Sequence, residues 1–239
     1  MGEIKVGDQL RAHYADYYLE GDSEWRRLGA LDKAGNVVSL CRDLPHATVL
    51  EIGAGEGSIL KRLSELNFGD ELYGIEISSS GVETIQAKRI PGLVECGLFD
   101  GYQVPFDNDR FDLAILSHVL EHVEHPRRLL YEASRVARYV CVEVPLEDMS
   151  RLRRDFVLDR VGHINFYSPR TIRWLLQSCN LRVLRQITTN PSKATYRYQA
   201  GRRGVLHYYI KQALLGLSPS LATKHFSFHG TLVCQKGLR

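Results

Sequence analysis

Apolar residues in this chain fall into short continuous runs that alternate with stretches of helical spacing. ATVLEIG (47–53), ELYGIEI (71–77), LVECGLF (93–99), FDLAILS (111–117) and RYVCVEV (138–144) have strand length and end at Gly, Pro or polar residues. Between them, SILKRLSEL (58–66), SSSGVETIQAKR (78–89) and the segment from Pro126 to Val136 space apolar residues three and four apart, as one helix face does. Strands that are apolar throughout and separated by helices predict a largely parallel sheet covered on both faces, joined by right-handed crossovers. Residues 1–46 contain no strand-like run; RAHYADYYLEG (11–21) and SEWRRLGALDKAGNVVSLCRDL (23–44) read as a helical cap. Pro145 is expected to stop the fifth strand. SPRTIRWLLQSC (168–179) reads as a helix with Ser168 as N-cap and Pro169 at the first helical position. LRVLRQIT (181–188) and HFSFHGTLVCQK (225–236) supply the last two strands. The insertion between them, 190–224, holds an amphipathic helix, GVLHYYIKQALLGL (204–217).

Composition narrows the class. The chain has 239 residues, 44% hydrophobic and 25% charged, which excludes disorder and suits a single domain spanning 1–239. No apolar run of about 18 residues is present, and the N-terminus lacks the apolar stretch of a signal peptide, so a cytoplasmic protein without a membrane span is expected. The five cysteines are scattered and form no CxxC pair, so they read as reduced thiols and not as a zinc site. Charge is lopsided: residues 1–150 carry 15 basic and 26 acidic side chains, and residues 151–239 carry 16 basic and two acidic, Asp155 and Asp159. The basic third points to an anionic partner, against the plainer reading of a solvated basic face.

The strongest chemical motif is Glu51-Ile52-Gly53-Ala54-Gly55-Glu56-Gly57, a strand that runs into a glycine-rich turn and then a helix. Glycines there allow a sharp turn and the close approach of a ligand to bare backbone. The spacing is G-x-G-x-G where a dinucleotide fingerprint needs G-x-G-x-x-G, and Glu51 and Glu56 would repel a pyrophosphate. NAD is therefore disfavoured, and a P-loop is excluded because no G-K-[ST] follows. Glu76 ends the second strand 19 residues after Gly57, where a carboxylate can accept hydrogen bonds from both hydroxyls of a ribose. Asp100 and Gly101 end the third strand ahead of Val104-Pro105-Phe106.

Together these motifs resemble the class I S-adenosylmethionine-dependent methyltransferases, in the group called methyltransferase types 11 and 23. The resemblance covers about residues 47–145 and continues through GHINFYSPRTIRWLLQSCNL (162–181). It implies an α/β, Rossmann-like, doubly wound sheet of seven strands, mostly parallel, in the order 3-2-1-4-5-7-6 with the last strand antiparallel. It further implies that S-adenosylmethionine is the cofactor and S-adenosylhomocysteine the product. In that family the Glu51 position and the turn Gly53, Ala54, Gly55 and Gly57 hold the methionine moiety. Glu76 with Ile77 takes the ribose, Asp100 and the backbone near Gly101 take the adenine, and Ser117 lines the pocket.

Ser117-His118-Val119-Leu120-Glu121-His122-Val123 follows the fourth strand and matches the family's L-E-H-V signature. Ligands of doubly wound sheets sit outside the carboxyl ends of the strands, which places His118 and His122 near an acceptor. His118, Glu121 and His122 stand at i, i+3 and i+4, so a helix would put all three on one face as metal ligands. Ubiquinone-biosynthesis O-methyltransferases and small-RNA 2′-O-methyltransferases look similar here but carry Glu at the position of His118. A hard metal prefers oxygen, so no metal is assigned and the metal-assisted O-methyltransferase stays an alternative. His163, ahead of the Ser168 helix, is the first choice for a general base, with His118 and His122 after it. The aromatics Tyr14, Tyr17, Tyr18 and Trp25 are candidates for a lid over the cofactor. The expected activity is methyl transfer to a small-molecule acceptor through O, N or C, the basic third favouring an anionic one. RLRRDFVLDR (151–160), KATYRYQAGRR (193–203) and the 204–217 helix keep two further partners open, an anionic membrane surface and nucleic acid. A methyltransferase-like binding module without turnover is the remaining alternative.

Overall fold

The computed structural model of the protein describes residues 23–150, 152 and 162–237. In chain order the elements are α1 (Ser23–Cys41), β1 (Thr48–Ile52), α2 (Ser58–Glu65), β2 (Glu71–Glu76), α3 (Ser79–Ala87), β3 (Leu93–Leu98), β4 (Phe111–Ser117), α4 (Pro126–Val136), β5 (Ala137–Leu146), α5 (Pro169–Ser178), β6 (Leu181–Thr189), α6 (Lys193–Leu217), α7 (Pro219–His225) and β7 (Phe228–Lys236). The seven strands form one sheet in the order β3-β2-β1-β4-β5-β7-β6, as the resemblance implies. β7 runs antiparallel to β5 and β6, and the pairs from β3 through β5 are parallel.

Strand residues alternate between two cores, one on each face of the sheet. Leu50, Ile52, Ala114, Leu116, Val140 and Val142 pack with α4 and α5. Their neighbours Val49, Leu113, Ile115, Tyr139 and Cys141 pack with α1 and α2. Burial on both faces is what makes these strands apolar at every position instead of every second one. α1 belongs to this packing, since Ala34, Val37 and Cys41 are completely buried. Ser168 accepts from Thr171 N–H while the Thr171 hydroxyl accepts from Ser168 N–H, a reciprocal cap that fixes the start of α5. All five cysteines are free thiols, four of them buried.

Three expectations change. β5 does not stop at Pro145 but continues to Leu146, because β4 ends at Ser117 opposite Glu143 and the strand beyond is paired with β7 alone. A residue without N–H is tolerated where one side of the strand is open. The insertion helix begins at Lys193, eleven residues before the predicted start, and bends at Ala200 and Gly201, whose φ is +55°. His225 ends α7 and does not open the last strand. The predicted helix at 11–21, with Tyr14, Tyr17 and Tyr18, and most of the basic stretch 151–160 lie outside the described residues.

The bend in α6 depends on a glycine. An added Cβ at Gly204 would lie 2.0 Å from the Tyr196 carbonyl oxygen, whereas one at Gly216 would meet nothing within 4 Å. Thermal melts of the two alanine variants are therefore expected to diverge. Gly204→Ala should lose about 1–3 kcal/mol through overpacking against backbone, and Gly216→Ala should gain about 0.4–1 kcal/mol by restricting the unfolded chain.

Candidate active site

β1 delivers the chain into a turn pinned beneath β2: Gly53 N–H and Ala54 N–H both donate to the Ile75 carbonyl, at 2.8 and 3.0 Å. Gly53 has φ +75°, and a Cβ there would sit 2.6 Å from Val119 Cγ2. Gly57, with φ +77°, starts α2 without any side-chain cap. The turn thus presents bare backbone and a helix N-terminus, the setting the glycine pattern predicts. Glu76 closes over it. One carboxylate oxygen accepts from Gly55 N–H at 2.9 Å and the other from Ser78 N–H at 3.2 Å. Burial raises the Glu76 pKa, and these backbone donors oppose the shift.

Glu51, in β1 just ahead of this turn, is 1% exposed, and its Oε2 has no hydrogen-bond partner among the described residues. Burial pushes its pKa up to about 8; the charge of Lys33 opposes the rise and that of Glu76 adds to it. Glu56 behaves differently, paired with Arg26 at 3.1 Å and Lys88 at 3.6 Å. Ser117 Oγ is also buried without a partner among the described residues. Ile77 follows Glu76 and packs half-buried against the core. Asp100 holds its own turn, since its Oδ1 accepts from Tyr102 N–H at 2.8 Å and Gln103 N–H at 2.6 Å, and Gly101 takes φ +96°. A buried carboxyl and hydroxyl without partners among the described residues, beside bare backbone and a second carboxylate, suit a cationic amino acid joined to a nucleoside and disfavour a pyrophosphate.

The segment after β4 departs from expectation. Residues 118–125 form turns and α4 starts only at Pro126, so His118, Glu121 and His122 do not share a helix face. His118 adopts φ +57°, a left-handed backbone, fixed by its N–H bond to the Glu143 carbonyl at 2.8 Å. The strap 162–167 holds the turn in place: Ile164 and Asn165 N–H donate to the Glu121 carbonyl, and the Asn165 amide donates to the carbonyls of Leu120 and Val123.

The histidines form two groups. His122 Nδ1 lies 3.2 Å from the Gly162 carbonyl, and its ring meets that of His163 edge-on at 4.9 Å. His163 is buried, with Nδ1 2.8 Å from Glu147 Oε2. His118 turns the other way, toward Glu143 and His229. Glu143 is fully enclosed; burial works against its charge, but the imidazoles of His118 and His229 outweigh it and hold the carboxyl well below its ordinary range.

Sequence reasoning missed Glu143, Glu147 and His229. Glu143 carried a signal, as the one charged residue in the run Val140-Cys141-Val142-Glu143-Val144. His229 carried none, because only the antiparallel return of β7 brings it beside β5. A separate cavity of about 760 Å³ lies between the 102–107 loop and α4. It contains Arg110, Arg128 and Arg135, but Arg135 is committed to Glu132 and to the carbonyls of Val104 and Phe106.

Known proteins share this architecture. A family model described as a methyltransferase domain matches residues 16–186, more than two thirds of the chain. The chain belongs to that methyltransferase family. Its cofactor is S-adenosylmethionine. The chain is 31% identical over 119 residues to a mitochondrial ubiquinone biosynthesis O-methyltransferase of Candida albicans, covering 48% of this chain and 33% of that protein. It spans between a third and about half of the length of the curated relatives it matches. Geranyl diphosphate C-methyltransferase from Streptomyces coelicolor, solved with Mg2+, geranyl diphosphate and S-adenosylhomocysteine, superposes with a TM-score of 0.63 at 13% identity, covering 99% of this chain and 91% of that one. Haemonchus contortus phosphoethanolamine N-methyltransferase 2 superposes with a TM-score of 0.65 at 13% identity, covering 96% of this chain and 60% of that one. These two likenesses are of fold. Among the described residues no helix is long and apolar enough to cross a membrane.

Glu51 makes this methyltransferase sensitive to alkali. Its pKa is raised in the folded state, so between the ordinary carboxyl value of 4.5 and about 8 the folded chain holds a proton that the unfolded chain has released. Stability from this group is complete at low pH and is lost as pH rises through that window, by up to about 1.4 kcal/mol per pH unit. Denaturant unfolding of the ligand-free protein at pH 5.5 to 8.5 should show a steeper decline for wild type than for Glu51→Gln. Parallel curves for the two proteins would refute the assignment.

Proposed function

We propose that the methyltransferase transfers its methyl group to a small-molecule acceptor through an oxygen, nitrogen or carbon nucleophile, with His163 as general base. One observation carries this reading: a buried imidazole anchored on a carboxylate, His163 on Glu147, stands at the strand ends of the same sheet edge as the Glu51–Glu76 pocket. When bound, S-adenosylmethionine supplies a methyl group on a positive sulfur with a good leaving group, so the main task left to the protein is alignment.

In this reading Glu51 pairs with the ammonium of the methionine part and ionises as it does so. Glu76, already oriented by Gly55 and Ser78 N–H, accepts from the ribose hydroxyls. Asp100 and the backbone at Gly101 face the adenine. Glu147 fixes the His163 ring through Nδ1, and the opposite nitrogen takes the proton of a hydroxyl or ammonium acceptor as the methyl group moves. The acceptor we infer is anionic, because no acidic side chain follows Asp159 and the insertion contributes Lys193, Arg197, Arg202 and Arg203. Family membership favours methyl transfer over a binding module without turnover.

Calorimetric titration with S-adenosylhomocysteine tests the pocket first. Micromolar binding by wild type should fall at least tenfold in Glu76→Ala, about 1.4 kcal/mol, and its absence in wild type would remove the reading. His163→Ala should bind S-adenosylhomocysteine within about twofold of wild type. Its methyl transfer, to an acceptor found by screening with radiolabelled donor, should drop about 10²- to 10⁴-fold. Unchanged turnover in His163→Ala would leave the cofactor pocket standing and eliminate His163 as the base.

A further inference from the structure

Buried polar atoms without a hydrogen-bond partner among the described residues include His118 Nε2, Glu143 Oε1 and His229 Nδ1. These three converge. Glu143 Oε1 lies 3.5 Å from His118 Nε2 and 3.3 Å from His229 Nδ1, and one ligating atom from each of the three residues lies within 4.8 Å of the others. The imidazole rings meet edge-on at 4.8 Å. Charge-assisted hydrogen bonds are shorter, about 2.7–2.9 Å. The two separations from Glu143 Oε1 instead match the edge of roughly 3.3 Å in a tetrahedron whose centre lies about 2.0–2.1 Å from each nitrogen or oxygen corner.

Two of the three groups, Glu143 and His118, are also held from behind, as metal ligands are. Glu143 Oε2 accepts from the Asn36 amide at 2.8 Å and from the Thr231 hydroxyl at 2.6 Å, which leaves Oε1 as the outward oxygen. Asn36 is itself tied to the Thr189 hydroxyl at 3.0 Å. His118 presents its second nitrogen, Nδ1, to Glu121 Oε1 at 3.2 Å. Its left-handed backbone aims the ring and is a conformation retained only where the surroundings enforce it.

We propose that His118 Nε2, Glu143 Oε1 and His229 Nδ1 form a site for one divalent transition metal ion of the zinc class, with a coordination position left for water or an acceptor oxygen. Two imidazoles and one carboxylate suit zinc, and magnesium demands more oxygen than this set offers. Glu121 serves as the outer partner of His118. The neighbouring His122 and His163 turn their Nδ1 atoms to Gly162 and Glu147 and stay out of the site. In the β4–β5 register Glu143 lies opposite Ser117, so the ion would stand at the rim of the cofactor pocket. The proposal does not depend on the acceptor or on His163 as base.

Calorimetric titration of chelator-stripped protein with Zn2+ decides it. The expected result is one ion per chain with micromolar or tighter affinity, a rise in Tm that excess EDTA reverses, and at least 100-fold weaker binding in His118→Ala and in His229→Ala. His122→Ala should bind within about threefold of wild type. Should a histidine variant fail to fold by circular dichroism, Asn36→Ala and Thr231→Val decide in its place, each weakening the metal by about 10- to 100-fold through the loosened carboxylate. Three results would each overturn the site: no saturable Zn2+ binding, binding retained in both His118→Ala and His229→Ala, or a preference for Mg2+ over Zn2+.

Discussion

Glu51, Glu76, Glu121 and Glu143 are each no more than 3% exposed, and they cluster where β1, β2, β4 and β5 finish. Burying a carboxylate costs several kcal/mol unless something nearby offsets the lost hydration. This chain meets the cost in four ways. Burial pushes the Glu51 pKa up to about 8, toward the neutral form. Glu76 accepts from backbone N–H groups of the glycine turn and of Ser78. Glu143 is held by Asn36, Thr231 and two imidazoles, and Glu121 leans on His118. Each solution leaves a definite bonding capacity pointing inward, and those capacities constitute the site. Replacing the four by apolar residues would remove a desolvation cost along with the reason for the pocket.

The sheet order explains why the carboxyl groups meet. β1 has β2 on one side and β4 on the other, so the chain reverses its direction of travel across the sheet at β1 and opens a crevice between the following turns. The turn after β1, the end of β2 and the turn after β4 all border that crevice. β7 enters from the same end, because antiparallel pairing with β5 sets His229 opposite Pro145 and Thr231 opposite Glu143. Thr189 at the end of β6 lies opposite His229, which carries Asn36 of α1 and the last strand into one polar network. The most distant parts of the sequence are thereby tied to the centre of the sheet.

Legibility in the sequence followed the range of the forces involved. The strands from 48 to 117 could be read within a residue at most ends, because two-sided burial keeps β1, β2 and β4 largely apolar and glycine or polar residues punctuate the run. Ser168 and Pro169 announced α5 through local capping chemistry. The glycine turn, Glu76 and Asp100 were legible for the same reason, since each depends on residues nearby in the chain. What misled was long-range. Pro145 reads as a stop until the end of β4 is known to leave one side of β5 open. The i, i+3, i+4 spacing of His118, Glu121 and His122 suggests a helix until the strap from Ile164 and Asn165 bends that segment into turns. His229 acquires meaning only from strand pairing.

Those turns also separate the histidines. On a helix His118, Glu121 and His122 would have pointed together, and one group would have had to serve every purpose. In the folded chain Glu121 stands between two arrangements of different chemistry. On one side the His163 ring is fixed by Glu147 and packed edge-on against His122, which holds it in a defined orientation. On the other side Glu143 gathers two imidazoles with their nitrogens turned inward, a geometry that concentrates lone pairs and is poor for moving a proton outward. A proton acceptor needs one basic atom beside the substrate, and an ion needs several around an empty centre. The fold holds both arrangements at one sheet end, and the left-handed backbone of His118 accompanies the turn of its ring toward Glu143 and away from the His122–His163 pair.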